Sequence, residues 1–258
     1  VSDARFARTE LLLGSEVVKR LADSHVVVVG LGAVGSYAVE ALARGGVGHL
    51  TLVDFDVICE SNINRQLYAL ESTVGSAKAS VAAERVRDIN PRCVVETLEV
   101  FVDENTLDRL LADPPDLVVD AIDTLSSKAM LIRETVRRGI PVVSSMGAAL
   151  RLDPTAVRVG PLSRTEACPL ARRLRRMLRD QIDTDRVLCV YSAEAVRKGL
   201  AGESDATENT DAASGSEGRR RALPSLPTVT GVFGLTVASE GLRLLLGGRW
   251  PDPSAGAT

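Results

Sequence analysis

Residues 25–35 read His-Val-Val-Val-Val-Gly-Leu-Gly-Ala-Val-Gly, an unbroken β-branched run leading straight into Gly30-x-Gly32-x-x-Gly35. Such a run suits a parallel strand buried on both faces. The glycines suit a tight turn, a backbone close enough to touch phosphate, and a helix packed hard against the strand it leaves. Apolar helical patterning follows from Val34 to Ala43 and stops at Gly45-Gly46; a second strand over 49–53 ends at Asp54. In such units an acidic residue about 20 positions after the glycines takes a ribose hydroxyl. The motif alone does not separate NAD from another adenine nucleotide. The absence of G-x-x-x-x-G-K-[ST] rules out a P-loop.

The alternation continues down the chain. Helices are expected at about 10–22, 76–89, 104–111 and 126–138, the first with Leu11, Leu12, Val17, Val18 and Leu21 on one side. Strands are expected at 94–99, 117–121 and 141–145. This order predicts an α/β protein with a Rossmann-like, doubly wound, mainly parallel sheet. After Ala149 the pattern loosens, with short strands at 156–159 and 187–191 and an Arg-dense segment over 164–179. Residues 1–150 are therefore expected to form a nucleotide-binding domain. Residues 151–250 should form a smaller C-terminal portion for substrate binding and dimerisation, interrupted by a polar, flexible insert at 199–221. The apolar stretch 228–246 is broken by Glu240 and Arg243 and reads as a buried helix, which argues against membrane association.

Composition narrows the function. Hydrophobic residues at 45% and charged residues at 25% describe a chain able to build an ordinary core. The net charge of −3 argues against a protein basic overall, and against DNA as partner, while permitting a local basic patch. Aromatics at 3% disfavour RNA readers built on stacked rings. The two histidines, His25 and His49, both open strands, so histidine-centred catalysis is not expected. Cys59, Cys93, Cys168 and Cys189 form no C-x-x-C pair, which suits a reducing cytoplasm and gives no zinc site by spacing. No secretory signal is visible at the start.

The residues following the second strand decide between nucleotides. Asp54 and Asp56 precede Asn62, Arg65 and Gln66, then Lys78, and Asp123 ends a later strand at the same rim of the sheet. Arg65 and Lys78 can spread over triphosphate oxygens and a carboxylate can hold magnesium, a set for which a nicotinamide dehydrogenase has no use. Each residue has an ordinary alternative: Arg65 a surface ion pair, Lys78 a solvated helix residue, Asp123 a helix N-cap. Further along, Arg172, Arg173, Arg175, Arg176 and Arg179 make a candidate phosphate-contacting surface, a solvated helix face being the alternative. Cys189 is a candidate for facing the crevice, or a buried structural thiol.

An ordered set of motifs resembles the ThiF/MoeB superfamily, the adenylating core shared with ubiquitin-activating enzymes. It comprises Arg5-Phe-Ala-Arg8, Gly30-x-Gly32-x-x-Gly35, Asp54-Phe-Asp56, Asn62-x-x-Arg65-Gln66, Val74-Gly75-x-x-Lys78 and Asp120-x-x-Asp123. The resemblance implies that residues 1–150 are an ATP-binding adenylation domain. Asp54 would take the ribose; Asn62, Arg65, Gln66 and Lys78 would surround the phosphates; Asp123 would hold Mg2+. Arg8 would reach into a neighbouring subunit's site, implying a homodimer. Lys128-Ala129, Asp153-Pro154-Thr155, Pro169-Leu170-Ala171, Cys189 to Glu194 and Gly231-Val232-Phe233-Gly234 make it most similar to the tRNA threonylcarbamoyladenosine dehydratase branch. That branch implies a cytoplasmic enzyme that uses ATP to cyclise a modified adenosine beside the tRNA anticodon. The resemblance leaves open a sulfur-transfer protein as a further partner. The alternative reading is an adenylyltransferase acting on the C-terminus of a ubiquitin-like sulfur carrier.

Overall fold

The valine run lies at the centre of the sheet in the computed structural model, which describes residues 3–196 and 223–248. Strand β1 (His25–Val29) pairs in parallel with β2 (His49–Val53) on one side and β4 (Leu117–Asp120) on the other. Outside β2 lies β3 (Val94–Leu98); outside β4 come β5 (Val142–Ser145), β7 (Val187–Ser192) and β6 (Val157–Pro161). The seven strands run in the order β3-β2-β1-β4-β5-β7-β6, and only β6 is antiparallel to its neighbour. The expected doubly wound, mainly parallel α/β architecture is therefore present. The chain reverses direction across the sheet between β1 and β4, which places a switch-point crevice at their carboxyl ends.

Period-two geometry sorts the valines between two cores. Val26 and Val28 face a layer built from α3 (Gly35–Gly45), α4 (Lys78–Ile89) and α8 (Pro227–Leu245). Val27 and Val29 face α5 (Glu104–Leu110), α6 (Leu125–Arg137) and α7 (Pro169–Leu178). The 228–246 stretch is thus α8, with Val229, Phe233 and Val237 buried. Among the described residues no helix is long and apolar enough to cross a membrane.

The N-terminal expectation needs correction. Residues 10–22 do not form one helix: α1 (Ala7–Leu13) and α2 (Ser15–Ala22) are separated at Gly14, whose φ of 88° and ψ of 159° leave the helical region. The apolar positions consequently do not line one face. Leu21 is buried, but Leu11 and Leu12 are 88% and 70% exposed. Beyond residue 150, β6 and β7 extend the same sheet, β7 lying between β5 and β6. The insert at 199–221 lies outside the described residues. Where the chain returns, the Leu150 amide donates to the Pro224 carbonyl at 2.9 Å.

One polar contact inside the apolar layers ties three elements together. Lys128 on α6 places Nζ 2.7 Å from Asp120 Oδ2 at the end of β4, both side chains fully buried. Asp120 also accepts from Ser144 Oγ on β5 at 2.6 Å and from the Ile122 amide at 3.1 Å, while Lys128 Nζ donates to the Ile122 carbonyl at 2.9 Å. Paired and hydrogen-bonded in this way, the two charges are held; with one partner removed, the other is stranded in low dielectric. Lys128→Met should therefore destabilise the fold by about 3–5 kcal/mol. The double replacement with Asp120→Asn should lose less than the single one. Urea unfolding of the three proteins measures this, and a double variant weaker than Lys128→Met would refute it.

Candidate active site

The turn after β1 is built by exclusion of side chains. Gly30 has φ +89°, and a Cβ there would lie 2.7 Å from the Ala121 carbonyl oxygen at the end of β4. A Cβ on Gly35 would meet the Gly30 oxygen at 1.8 Å. Helix α3 thus starts in contact with the ends of two strands. At Gly32 the only described neighbour within reach of a Cβ is Gln66 Nε2 at 3.7 Å, so the turn opens towards the crevice at this point. The amino end of an 11-residue helix faces that opening, which favours an anionic ligand.

Asp54 at the end of β2 is tied to this turn. Its Oδ2 accepts from the Leu31 amide at 2.7 Å and its Oδ1 from the Asp56 amide at 2.9 Å. Burial pushes its carboxyl above the ordinary aspartate value, against the opposing pull of Lys78 and the two amides. Lys78 opens α4. It is not the solvated residue of the ordinary alternative but is buried, with Nζ 2.8 Å from Asp56 Oδ2. Its own amide donates to the Asp56 carbonyl at 3.0 Å. Half-buried Arg65 makes no ion pair among the described residues; its Nη1 donates to the Ser61 carbonyl and to Asn64 Oδ1, both at 2.8 Å. Asn62 Oδ1 accepts from the Cys59 amide at 3.2 Å, and the Asn62 carbonyl accepts from the amide of buried Gln66 at 2.9 Å. Asp123 does not cap α6, since Thr124 occupies that position. It accepts from Thr124 Oγ1 at 3.4 Å.

One cleft of about 600 Å³ brings these residues together: Gly30, Gly32, Asp54, Asp56, Asn62, Arg65, Gln66, Lys78 and Asp123 all line it. Gly35 lies behind the turn. Arg8, on α1, is not among the lining residues of its own chain's cleft. The cleft continues past the end of β5 to the start of α7, where Arg173 contributes to its wall.

The arginines of α7 divide into distinct environments. Ala171, Leu174 and Leu178 form the buried face. Arg172, Arg176 and Arg179 are exposed and line a separate groove of about 360 Å³ with Arg175. Arg175 is half-buried and committed elsewhere, donating to the Leu162 carbonyl at 3.2 Å and to both the carbonyl and the hydroxyl of Thr165. Its first task is to hold α7 against the loop before it. Cys189 requires correction. It is fully buried on β7 among the side chains facing α6 and α7, and burial pushes its thiol far up. It cannot meet a macromolecular substrate.

Sequence reasoning missed Arg151. The residue sits in a Leu-Arg-Leu context that reads as surface, yet it is 1% exposed and lines the cleft. Nothing local signals this, because the carbonyl that fixes its guanidinium belongs to Ala167, 16 residues further on. Lys128 was legible only as part of a resemblance, without its buried partner.

A site with this turn, this aspartate and these cations on a doubly wound sheet defines an ATP-type nucleotide-activating fold. The chain belongs to the ThiF family, whose model matches residues 6–256. Within that family its similarity runs to the tRNA threonylcarbamoyladenosine dehydratases. It is 38% identical to that enzyme of Escherichia coli (strain K12), over 95% of this chain and 96% of that protein. It is 43% identical to the Bacillus subtilis (strain 168) enzyme, over 74% of this chain and 75% of that one. The crystal structure of the E. coli enzyme, TcdA, in complex with ATP superposes with a TM-score of 0.83 at 36% identity, covering 96% of this chain and 97% of that one.

The raised Asp54 carboxyl has a signed consequence. The folded protein binds that proton more tightly than the unfolded chain does, so the group's contribution to stability is full below the ordinary aspartate value and lost as pH rises through the raised one. If Asp54 takes a ribose hydroxyl, as expected from its place after β2, the ionised carboxylate is the stronger acceptor. Affinity for an adenine nucleotide should therefore fall on acidification at a pH above the ordinary aspartate range. Asp54→Asn should bind at least about tenfold more weakly at neutral pH, the scale of a hydrogen bond to a charged group. The difference between the two proteins should vanish as the wild-type carboxyl is protonated. Calorimetric titration across pH checks it, and a constant difference would refute it.

Proposed function

We propose that this chain is an ATP-dependent tRNA threonylcarbamoyladenosine dehydratase. The observation that carries the reading is the continuity of one cleft, from the glycine turn and Asp54, through Arg65, Lys78 and Asp123, to Arg173 at the head of an arginine-covered helix. A nucleotide and a polyanionic substrate can meet there.

The chemistry follows from the substrate's own groups. The threonine carboxylate of the modified adenosine is a poor electrophile because it is anionic. One of its oxygens attacks the α-phosphorus of ATP, the bond to the β-phosphate oxygen breaks, and pyrophosphate leaves. The neighbouring ureido group then attacks the acyl carbon and loses a proton to solvent. AMP departs with the carboxylate oxygen and the ring is closed. The nucleoside has lost one water, and no protein nucleophile is consumed.

The protein supplies position and charge. Asp54 anchors the ribose, the Gly30–Gly35 turn and the amino end of α3 receive phosphate, and Arg65 and Lys78 meet the charge that develops as pyrophosphate departs. A magnesium ion fits the donor set, since Mg2+ in such sites takes one or two carboxylates and completes its shell from phosphates and water. Asp123 would hold it, and the ion would shield the triphosphate. Arg8 lies exposed on α1 beside exposed Leu11 and Leu12. That arrangement supports a homodimer in which α1 is covered and Arg8 enters the partner's cleft. The setting we infer is the cytoplasm, where tRNA and ATP are both present.

ATP–pyrophosphate exchange stimulated by threonylcarbamoylated tRNA tests the reading. Arg65→Ala and Lys78→Ala should each lose about 10²–10³ in rate, the usual cost of one preorganised donor, with their unfolding transitions retained. Near-normal exchange in both would refute the assignment, and stimulation by a small carrier protein instead of tRNA would favour the alternative adenylyltransferase. A second measurement concerns α7. Replacing Arg172, Arg176 and Arg179 together by Ala should weaken tRNA binding and flatten its salt dependence by roughly 0.7–0.9 in logarithmic slope for each phosphate no longer neutralised. ATP affinity should not change; an unchanged slope would remove α7 from the tRNA interface.

A further inference from the structure

Arg151 stands apart from the other cations of this region. Lys78 is neutralised by Asp56, and Lys128 by Asp120. Arg151 is equally withdrawn from solvent, but among the described residues its guanidinium meets only backbone carbonyls: Nη2 donates to Ala167 at 2.9 Å and Nε to Gly147 at 3.4 Å. Its Nη1 is buried with no hydrogen-bond partner among those residues. A buried charge with neither counter-ion nor full hydrogen bonding is costly to maintain and calls for a reason.

The backbone around it is also held against its preference. Leu150 has φ 62° and Ala167 has φ 51°, the two non-glycine residues with positive φ among those described. One immediately precedes Arg151, and the other supplies the carbonyl that fixes it. Strained backbone and an orphaned charge at one wall of one cleft are a combination found where a ligand supplies the missing partner.

The ligand must be an anion, and sheet order indicates which. Arg65 and Lys78 enter the cleft from the chain after β2, on one side of the β1/β4 switch point. Arg151 enters from the chain after β5, on the other side, beside Arg173 of α7. On the dehydratase reading the phosphates would be served from the first side and the substrate would arrive from the second. We propose that Arg151 is the carboxylate-binding residue of the substrate subsite. Its guanidinium, with Nη1 closed to solvent until substrate arrives, would turn into the cleft it lines to donate to the threonine carboxylate and hold one oxygen towards the α-phosphate against the repulsion of two anions. This rests on the dehydratase reading and adds to it the residue that selects the acid group.

The test separates carboxylate recognition from folding and from ATP binding. Wild type should bind threonylcarbamoylated tRNA more tightly than the same tRNA with the threonine carboxylate methylated. Arg151→Gln keeps donors for the two carbonyls but no charge, and should lose at least about tenfold of that preference while ATP affinity stays within about twofold. Arg151→Lys, which keeps the charge without the fork, should fall between them. A folded Gln variant that retains the preference, or that loses ATP and tRNA affinity alike, overturns the proposal. Should the Gln variant fail to fold, a crystal of wild type with AMP and the free threonylcarbamoyl nucleoside decides it. A carboxylate within hydrogen-bond distance of Arg151 Nη1 supports the role, and one bound elsewhere overturns it. Wild type that neither converts modified tRNA nor distinguishes it from unmodified tRNA removes the dehydratase reading itself, a result distinct from failure at Arg151.

Discussion

The close approach of α3 to the ends of β1 and β4 governs this structure. No side chain can stand at Gly30 or Gly35, because the Ala121 carbonyl and the Gly30 carbonyl occupy the space a Cβ would need. This crowding sets the amino end of α3 directly over the switch point. It also brings the Leu31 amide within 2.7 Å of Asp54 Oδ2, so the carboxylate we propose for the ribose is positioned by the same turn that would receive phosphate. Anything that pushed α3 outward would lose both functions together.

Around that fixed point the cations are graded by how fully the protein satisfies them. Lys128 is closed off by Asp120 and serves the fold. Lys78 is paired with the partly exposed carboxylate of Asp56, and its ammonium has three protons, so a phosphate oxygen can share it. Arg65 is held by one carbonyl and one amide oxygen, with its charge unopposed among the described residues. Arg151 is the least satisfied and among the most buried. A site that must bring two anions together needs this gradient. Cations closed off inside the fold, as Lys128 is, would leave the repulsion in place, and unmatched ones exposed to water would be weakened by solvent.

The central sheet and the nucleotide residues were legible because their signals are local. The valine run, the glycine spacing and Asp54 lie within one β-α-β unit, and the later strands repeat its rhythm. The failures have a common cause in packing between distant segments. Leu11 and Leu12 read as one stripe with Val17 and Val18, but the stripe is cut by the backbone of Gly14. Cys189 leaves a crevice position and a buried thiol both open, and the cover of α6 and α7 makes it the buried thiol. Arg175 shares helical spacing with Arg172 and Arg179, and is drawn away by the Leu162 and Thr165 carbonyls. Arg151 is invisible for the same reason, since its environment is assembled from the ends of β5 and α7 across a loop of irregular backbone.

The two histidines lie away from the cleft. His25 and His49 open adjacent strands in register, and their rings stack with centroids 3.8 Å apart at the amino end of the sheet, opposite the cleft. Burial lowers the affinity of His25 for a proton. No imidazole of this chain is therefore within reach of its cleft. A reaction needing an imidazole base would be badly served here. A reaction in which the substrate brings an already ionised carboxylate as nucleophile, and pyrophosphate leaves as an anion, needs no such base for its first step. What it needs is electrostatic complementarity held in place before the reactants arrive, the role we propose for Arg65, Lys78 and Arg151, which line one crevice.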